Sequence, residues 1–247
     1  MKTHKNIVVG SLCALACEFI FGLSYIFTKQ ITSNISVLAL LGWRFLIAFL
    51  GMSLLLIFGF LKISLKGKSL KPLFLIALFS PIIYFLGETY GISYTSASES
   101  GVFLACIPIA SLIASTLLLG KKPKLIQIVG ILITLIGVLI TIFAVSTSVS
   151  FSVIGYIFLL IAVIAYALYS IFVEKAVSYT GAEITFTMLI AGLIVFSILA
   201  LSEAYINNNL VTLINLPFVD KSFLIAILYQ GIACSVIAFF LSNIAIA

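Results

Sequence analysis

The chain has 247 residues, of which 64% are hydrophobic and only 8% are charged, with a formal net charge of +6. An ordinary soluble domain carries about 25% charged residues, and no soluble core could hide this much apolar surface. Composition therefore excludes a soluble globular protein. Because a helix needs about 20 apolar residues to cross a hydrocarbon core of roughly 30 Å, the next question is how many such runs the chain contains.

Eight apolar runs of this kind follow one another along the chain. They are residues 7–28, 35–61, 72–95, 98–119, 125–146, 152–174, 184–205 and 223–245. In lipid every backbone polar group must be satisfied within its own structure, and long apolar runs without strict alternation favour helices over barrel strands. We therefore predict an all-α, polytopic protein of the cell (inner) membrane with about eight transmembrane helices.

Lysines lie in alternate predicted loops, which indicates how the chain is oriented. One side holds Lys2, Lys5, Lys62, Lys66, Lys68, Lys71, Lys121, Lys122, Lys124 and Lys175. The other side holds only Lys29 and Lys221. The positive-inside rule then places the N-terminus in the cytoplasm. Since orientation explains the positive charge, we expect the lipid bilayer and no nucleic acid among the partners.

The chain also resembles itself at a nearly constant offset. A shift of 145 residues places Gly10 on Gly155, and a shift of 149 residues places the segment 74–77 on the segment 223–226. If the repeat unit is five helices, its odd number makes the second copy enter the membrane from the opposite side. Inverted repeats of this kind are typical of secondary transporters, which expose one central site to each side in turn.

Three segments, in order, are similar to segments of one family of membrane proteins. Residues 21–29 are similar to a Trp-Gly-x-x-Phe-x-x-x-Lys segment that ends the first helix of that family, with Phe21 in place of tryptophan. Residues 43–46 are similar to its arginine-containing segment, and residues 94–100 with Pro108 to its entry into the fourth helix. Through these segments the chain resembles the EamA-type transporters of the drug/metabolite transporter superfamily.

The resemblance implies ten helices in two inverted five-helix repeats. Residues 1–146 are then the first repeat, with helices 1–5, and residues 152–247 are an incomplete second repeat with helices 6–8. We expect the counterparts of the fourth and fifth helices to follow Ala247, so that the sequence is truncated or partial. Residues 118–121 depart in charge from the family's usual Leu-Gly-Glu, because Lys121 replaces the acidic residue.

The function predicted from the repeat and the resemblance is permease or exporter activity toward small metabolites, by alternating access as a secondary carrier. A membrane channel or a non-transporting assembly subunit is the alternative, and a homo-oligomer is left open. The sequence contains no P-loop, H-E-x-x-H or G-x-S-x-G motif, so we predict no enzyme and no cofactor. The substrate, the direction of transport and ion coupling are not determined.

Three ionisable residues, Glu18, Arg44 and Glu88, fall well inside apolar runs. Such residues cost roughly 2.5–3.5 kcal/mol on insertion scales and usually face a partner or an aqueous cavity. From a rise of about 1.5 Å per residue, Glu18 and Arg44 lie roughly 15 Å and Glu88 roughly 10 Å below the outer ends of their helices. One hypothesis has Arg44 paired with one carboxylate while the other binds substrate or protons; the alternative is a structural ion pair.

Further candidates are polar or aromatic side chains within the same runs. Those that could line an amphipathic cavity are Tyr25, Trp43, Tyr84, Tyr166, Tyr169 and Gln230. The aromatic residues could instead serve as packing, because aromatic residues are common in membrane interiors and at membrane interfaces, and Gln230 is similarly ambiguous. Gly87 and Gly91, four residues apart, could let another helix approach closely beside Glu88. A single histidine and four scattered cysteines predict no metal site.

Overall fold

The structure is a computed structural model and describes residues 4–145 and 152–246. Within those ranges every regular element is helical. The helices are α1 (His4–Thr32), α2 (Val37–Ile57), α3 (Lys71–Ala77), α4 (Tyr84–Tyr94), α5 (Ala97–Leu104), α6 (Ile107–Leu119), α7 (Leu125–Val145), α8 (Val153–Lys175), α9 (Gly181–Ile206), α10 (Leu210–Val219), α11 (Lys221–Leu228) and α12 (Phe239–Ile246). The predicted all-α class is confirmed.

Seven helical stretches of the described chain are long and apolar enough to cross a membrane. They are Val8–Thr32, Val37–Ile57, Lys71–Tyr94, Ala97–Leu119, Val153–Lys175, Gly181–Ile206 and Lys221–Asn243. The remaining predicted run, 125–146, coincides with α7, whose part Leu125–Val138 is a shorter apolar helix. The protein is therefore a polytopic membrane protein, and the runs predicted from apolar length correspond to helices.

Two of these stretches are interrupted by π-helical turns. Leu78–Ile83 separates α3 from α4, and Tyr229–Ala238 separates α11 from α12. In the first, Ser80 has an extended backbone (φ −143°, ψ 120°) next to Pro81, which has no N–H to donate to the preceding turn. Such π-turns are frequent at functional sites, and both interruptions lie beside the polar interior described below.

Helix starts are capped by side chains at loop junctions. At the start of α5, Ser96 Oγ accepts from the N–H of Glu99 while the Glu99 carboxylate accepts from the N–H of Ser96, which is a capping box. Thr180 and Glu183 form the same arrangement at the start of α9. An acidic residue near a helix N-terminus also interacts favourably with the helix dipole. The charge of Glu99 is thus explained by a capping role.

The interior is built from closely packed helix pairs, chiefly α4 with α8 and α2 with α9. The α4–α8 contact depends on Gly87 and Gly91. A Cβ atom on Gly87 would lie 2.7 Å from the carbonyl oxygen of Phe158, and one on Gly91 would lie 2.6 Å from the Leu159 side chain. The expected role of these glycines in a close helix approach is therefore confirmed, and the approach places Glu88 against the interior.

Candidate functional site

Arg44 is a cation enclosed in the apolar interior, with 1% of its surface exposed. Its Nε atom donates a hydrogen bond of 2.9 Å to Ser235 Oγ, and Nη1 donates one of 3.4 Å to Gln230 Oε1. The guanidinium carbon also lies 4.1 Å from the centre of the Phe85 ring, which is a cation–π distance. These contacts hold the charge in place with neutral side chains.

The third nitrogen of that guanidinium group differs from the other two in its hydrogen bonding. Arg44 Nη2 is buried and has no hydrogen-bond partner among the described residues, and the hydroxyl of Thr89 is in the same condition. A buried donor without an acceptor costs about 1–3 kcal/mol. Arg44 therefore has one guanidinium nitrogen, with its two N–H groups, available as a donor in the interior.

Glu88 supplies the opposite charge in the same interior and is also 1% exposed. The hydroxyl of Tyr84, one helical turn earlier, donates a hydrogen bond of 2.7 Å to Glu88 Oε1. Glu88 and Arg44 carry opposite charges in this interior, but the ion pairs among the described residues are Lys68–Glu183 and Lys121–Glu174. The hypothesised direct contact between Arg44 and a carboxylate is therefore not among the contacts of the described residues.

Gln230 links the arginine to α1. Its Nε2 atom donates a hydrogen bond of 3.0 Å to Thr28 Oγ1, and its backbone carbonyl accepts one of 2.9 Å from Ser235 Oγ. Thr28 and Ser235 were missed as candidates. A sequence signal existed for Thr28, because it lies within the family-like segment 21–29, whereas Ser235 is an ordinary small polar residue in an apolar run.

A second buried polar network joins α8, α9 and α12. The hydroxyl of Tyr169 donates a hydrogen bond of 2.6 Å to Asn243 Oδ1, and Asn243 Nδ2 donates one of 2.9 Å to Thr185 Oγ1. Tyr166 and Ser242 share a hydrogen bond of 2.9 Å between their hydroxyls. Tyr166 and Tyr169 were candidates from the sequence, whereas Thr185 and Ser242 were not.

Aromatic rings connect the two networks into one polar layer. The rings of Tyr84 and Tyr166 lie 5.3 Å apart, and those of Tyr166 and Tyr169 lie 5.2 Å apart. Tyr25, half-buried on α1, packs against the core cluster that contains Tyr84 and Tyr169. Six candidates therefore come together with Arg44 in one interior region: Tyr25, Tyr84, Glu88, Tyr166, Tyr169 and Gln230.

A charged, hydrogen-bonded layer inside an apolar helical bundle is the arrangement expected of a solute pathway. The model of the EamA-like transporter family matches residues 8–143. The chain belongs to the EamA-like transporter family. The family predicted from three short segments is confirmed, and the match covers the first five predicted helices.

Two relatives of this EamA-like transporter are themselves named as transporters. The chain is 29% identical over 240 residues to "Uncharacterized transporter YcxC" of Bacillus subtilis (strain 168), and the alignment covers 94% of this chain and 75% of the relative. It is 26% identical over 173 residues to "Uncharacterized transporter in sor 3'region" of Acidianus ambivalens, covering 70% of this chain and 63% of the relative.

The fold also occurs in a solved crystal structure of another protein. The TM-score is 0.67 at 16% sequence identity, and the alignment covers 98% of this chain and 79% of the other. At that identity the likeness concerns the fold alone. It supports the helix arrangement that brings Arg44 and Glu88 into one interior.

Two of the candidate site residues predicted from the sequence lie apart from the polar layer. The side chain of Glu18 is exposed on α1, although it remains within electrostatic range of Tyr25 and Tyr166. Trp43 is half-buried, and its Nε1 atom donates a hydrogen bond of 2.9 Å to the carbonyl oxygen of Leu213. Trp43 is thus a contact between α2 and α10, while Glu18 lies at the margin of the interior.

The lysine-rich loop between α2 and α3 is attached to the start of α9. Lys68 Nζ lies 2.7 and 2.9 Å from the two carboxylate oxygens of Glu183, and the backbone N–H of Ser64 donates to the same carboxylate at 3.1 Å. The hydroxyl of Tyr179 donates to the carbonyl oxygen of Ser69. We call these contacts the latch; its side-chain ion pair, Lys68–Glu183, was missed because the lysines of this loop were interpreted only as an orientation signal.

The opposite ends of α2 and α9 are joined by a smaller contact. The hydroxyl of Ser36, at the start of α2, donates to the carboxylate of Glu203, near the end of α9. The α2–α9 pair is therefore held at both ends, by the latch on one side and by Ser36 on the other. Among the described residues no group of three or more His, Cys, Asp and Glu residues could hold a metal ion.

Proposed function

We propose that this protein is a secondary carrier that moves a small metabolite across the cell membrane by alternating access, with its N-terminus in the cytoplasm. The observation that carries the proposal is the pair of buried opposite charges, Arg44 and Glu88, in one polar layer. Ionisable side chains at such depth mark substrate or ion pathways in membrane proteins. The loop lysines support the orientation.

The substrate class follows from what the layer offers. Arg44 Nη2 is a donor without a partner among the described residues, and Glu88 accepts only from Tyr84 in the hydrogen bonds described. A solute with a carboxylate for Arg44 and an amine for Glu88 would satisfy both charges. Tyr25 and Tyr166 would supply aromatic surface beside it. We therefore propose a zwitterionic small metabolite, such as an amino acid, as the first substrate to test.

The two-repeat organisation is part of the same proposal, with residues 1–146 and 152–247 as the repeats. It is supported by the matching interruptions at Leu78–Ile83 and Tyr229–Ala238, each in the third helix of its repeat. Two oppositely oriented repeats can exchange conformations about a central site. The latch and the Ser36–Glu203 contact then lie at the two ends that must open in turn.

The decisive experiment measures uptake of labelled amino acids and of other small metabolites into proteoliposomes. We expect saturable flux with the wild-type chain and a loss of about tenfold or more with Glu88→Gln, because one charge-assisted contact to the solute disappears. Thr116→Ala is the control, since Thr116 is exposed on α6 and bonds only to the carbonyl oxygen of Leu112 in the hydrogen bonds described.

The other outcomes decide against the proposal in distinct ways. Rapid flux that does not saturate indicates a channel. A folded protein that moves none of the solutes indicates a non-transporting assembly subunit. Saturable flux that Glu88→Gln and Arg44→Gln leave unchanged places the site elsewhere in the carrier.

A further inference from the structure

A groove of about 470 Å³ lies between α6, α7 and α8, away from the Arg44–Glu88 layer. This volume falls within the roughly 300–1,000 Å³ typical of small-molecule sites. The groove is lined by apolar residues and by the polar side chains of Ser111, Ser115, Gln127, Thr134, Ser170 and Glu174. It opens on helices whose outer surface is apolar, so its mixed lining needs an explanation.

The polar side chains of the lining are spaced so that several of them share one face of their helix. Ser111 and Ser115 are four residues apart on α6, and Ser170 and Glu174 are four residues apart on α8, which places each pair on one helix face. Gln127, near the start of α7, also lines the groove. Lipid tails offer no hydrogen bonds to such a surface, so an occupant with polar groups fits it better than acyl chains alone.

The mouth of the groove carries charges of both signs. Lys121, just after α6, forms an ion pair with Glu174 near the end of α8. Both side chains are partly exposed, at 58% and 30%, and exposed ion pairs of this kind contribute little and exchange partners readily. Lys122 and Lys124 are exposed in the same short connection. The mouth can therefore receive an anion and a cation side by side.

The polar groups are ordered by depth along the helices. At about 1.5 Å per residue, Glu174 and Gln127 lie within about 3 Å of their helix ends, Ser115 about 6 Å and Ser111 about 12 Å from the end of α6. From the mouth of the groove inward, charged groups therefore come first, followed by the amide of Gln127 and then by the serine hydroxyls. Pro108 follows about 16 Å from that end.

The uncharged lining groups are suited to a molecule that accepts hydrogen bonds. Gln127 Oε1 accepts a hydrogen bond of 2.8 Å from the backbone N–H of Lys124, which leaves its amide nitrogen as the donor toward the groove. Ser111 and Ser115 each carry one O–H donor. Thr134 and Ser170 instead donate to their own helices, to the carbonyls of Gly130 and Ala167. Among the described lining residues, the side chains that can donate hydrogen bonds into the groove are therefore Gln127, Ser115 and Ser111.

We infer that this groove binds one phospholipid with a primary-amine headgroup, of the phosphatidylethanolamine class. Its ammonium group pairs with Glu174 and its phosphate with Lys121. Its ester carbonyls, which only accept, lie beside Gln127, Ser115 and Ser111, and an acyl chain follows the apolar surfaces of α6 and α7. The order of charges, acceptors and hydrocarbon in the lipid matches the order of groups in the groove. This inference does not depend on the proposed transport activity.

The test is native mass spectrometry of the detergent-purified protein, titrated with ethanolamine, choline and glycerol phospholipids that have identical acyl chains. We expect the first ethanolamine lipid to bind about tenfold more tightly than the choline or glycerol lipid. Only its ammonium group is both positively charged and able to donate hydrogen bonds to Glu174, because the choline group has no N–H and the glycerol hydroxyls carry no charge. Glu174→Gln should remove this preference. Ser111→Ala with Ser115→Ala should weaken binding of all three lipids.

Matched controls come from the same helix and the same side of the bundle. Thr116→Ala removes a hydroxyl that is adjacent to the groove residues but outside the lining, and Lys66→Ala removes an exposed lysine from another loop. Both should bind like wild type. Circular dichroism and elution profile establish that each variant is folded.

Three results would overturn the inference. Equal affinity for the three lipids shows only non-specific solvation of the groove. Tighter binding of the glycerol lipid shows a general anion site at the lysines. Equal competition by soluble glycerophosphoethanolamine shows a site for a free headgroup compound and not for a lipid.

Discussion

Arg44 Nε and Ser235 Oγ lie 2.9 Å apart although 191 residues separate them in the chain. This hydrogen bond attaches α2 to the π-helical stretch Tyr229–Ala238 and aims the remaining guanidinium nitrogens at Gln230 and the interior. A charge that costs energy to bury is therefore also what aligns two helices from opposite parts of the sequence.

Arg44→Lys tests whether the planar guanidinium group is required. A lysine keeps the charge but cannot bond Ser235 and Gln230 in the same fixed geometry, and losing a hydrogen bond to a charged group costs about 1.5–3 kcal/mol. We expect a lower thermal unfolding midpoint in detergent. Ser235→Ala should lower it less, because Gln230 and the ring of Phe85 still contact the arginine. Equal midpoints for wild type and Arg44→Lys would show that charge alone matters.

Gly87→Ala tests the α4–α8 contact. The added Cβ would lie 2.7 Å from the carbonyl oxygen of Phe158 and 2.9 Å from the backbone nitrogen of Ala162. Backbone atoms cannot relieve such a contact by a change of rotamer. Overpacking of this kind costs about 1–3 kcal/mol. We expect a lower unfolding midpoint and weaker transport, because Glu88 is the next residue.

Gly22→Ala is the matched control for this change. A Cβ on Gly22 meets no atom within 4 Å, and alanine favours an α-helix over glycine by about 1 kcal/mol. The midpoint should stay or rise. If both variants behave alike, close approach of α4 to α8 is not the reason for glycine at position 87.

The latch can be tested with Cys234 as a reporter, since its thiol is fully buried near the Arg44–Glu88 layer. In a background with Cys13, Cys17 and Cys106 replaced by serine, Glu183→Gln should increase labelling of Cys234 by a membrane-impermeant thiol reagent. The reason is that Lys68 loses its charged partner, which shifts the population toward states open at the lysine-rich end.

The side from which labelling occurs makes this test specific. The increase is expected in inside-out vesicles and not in right-side-out vesicles, because the latch lies at the end proposed to face the cytoplasm. Lys66→Ala, in the same loop but exposed, should label like the parent. Labelling that rises equally from both sides would indicate loosening of the whole bundle.

Tyr169→Phe tests the second polar network. It removes the 2.6 Å hydrogen bond to Asn243 Oδ1 and leaves a buried acceptor unpaired, which costs about 1–3 kcal/mol. We expect a lower unfolding midpoint. Tyr205→Phe, at a tyrosine that is 72% exposed, is the control and should change nothing. An unchanged midpoint for Tyr169→Phe would mean that the network contributes no stability.

The membrane helices and the buried charges were predictable from sequence for one reason. Transfer into lipid depends on the apolar content of about 20 consecutive residues, so a local property decides which segments are helices. The same reasoning singled out Arg44 and Glu88, because an ionisable residue within such a run needs partners. Capping of α5 by Glu99 was likewise local, as it involves residues three apart.

Which residue meets which was decided by the tertiary structure alone. Glu18 and Arg44 are both ionisable and were placed at the same depth from the sequence, yet Arg44 is buried and Glu18 is exposed, because each helix is rotated to suit its neighbours. Trp43 contacts α10, one residue away from the buried arginine, for the same reason. Apolar content reports that a helix is in the membrane, but nearly every face of such a helix is apolar, so the direction of each side chain is set only when the helices pack.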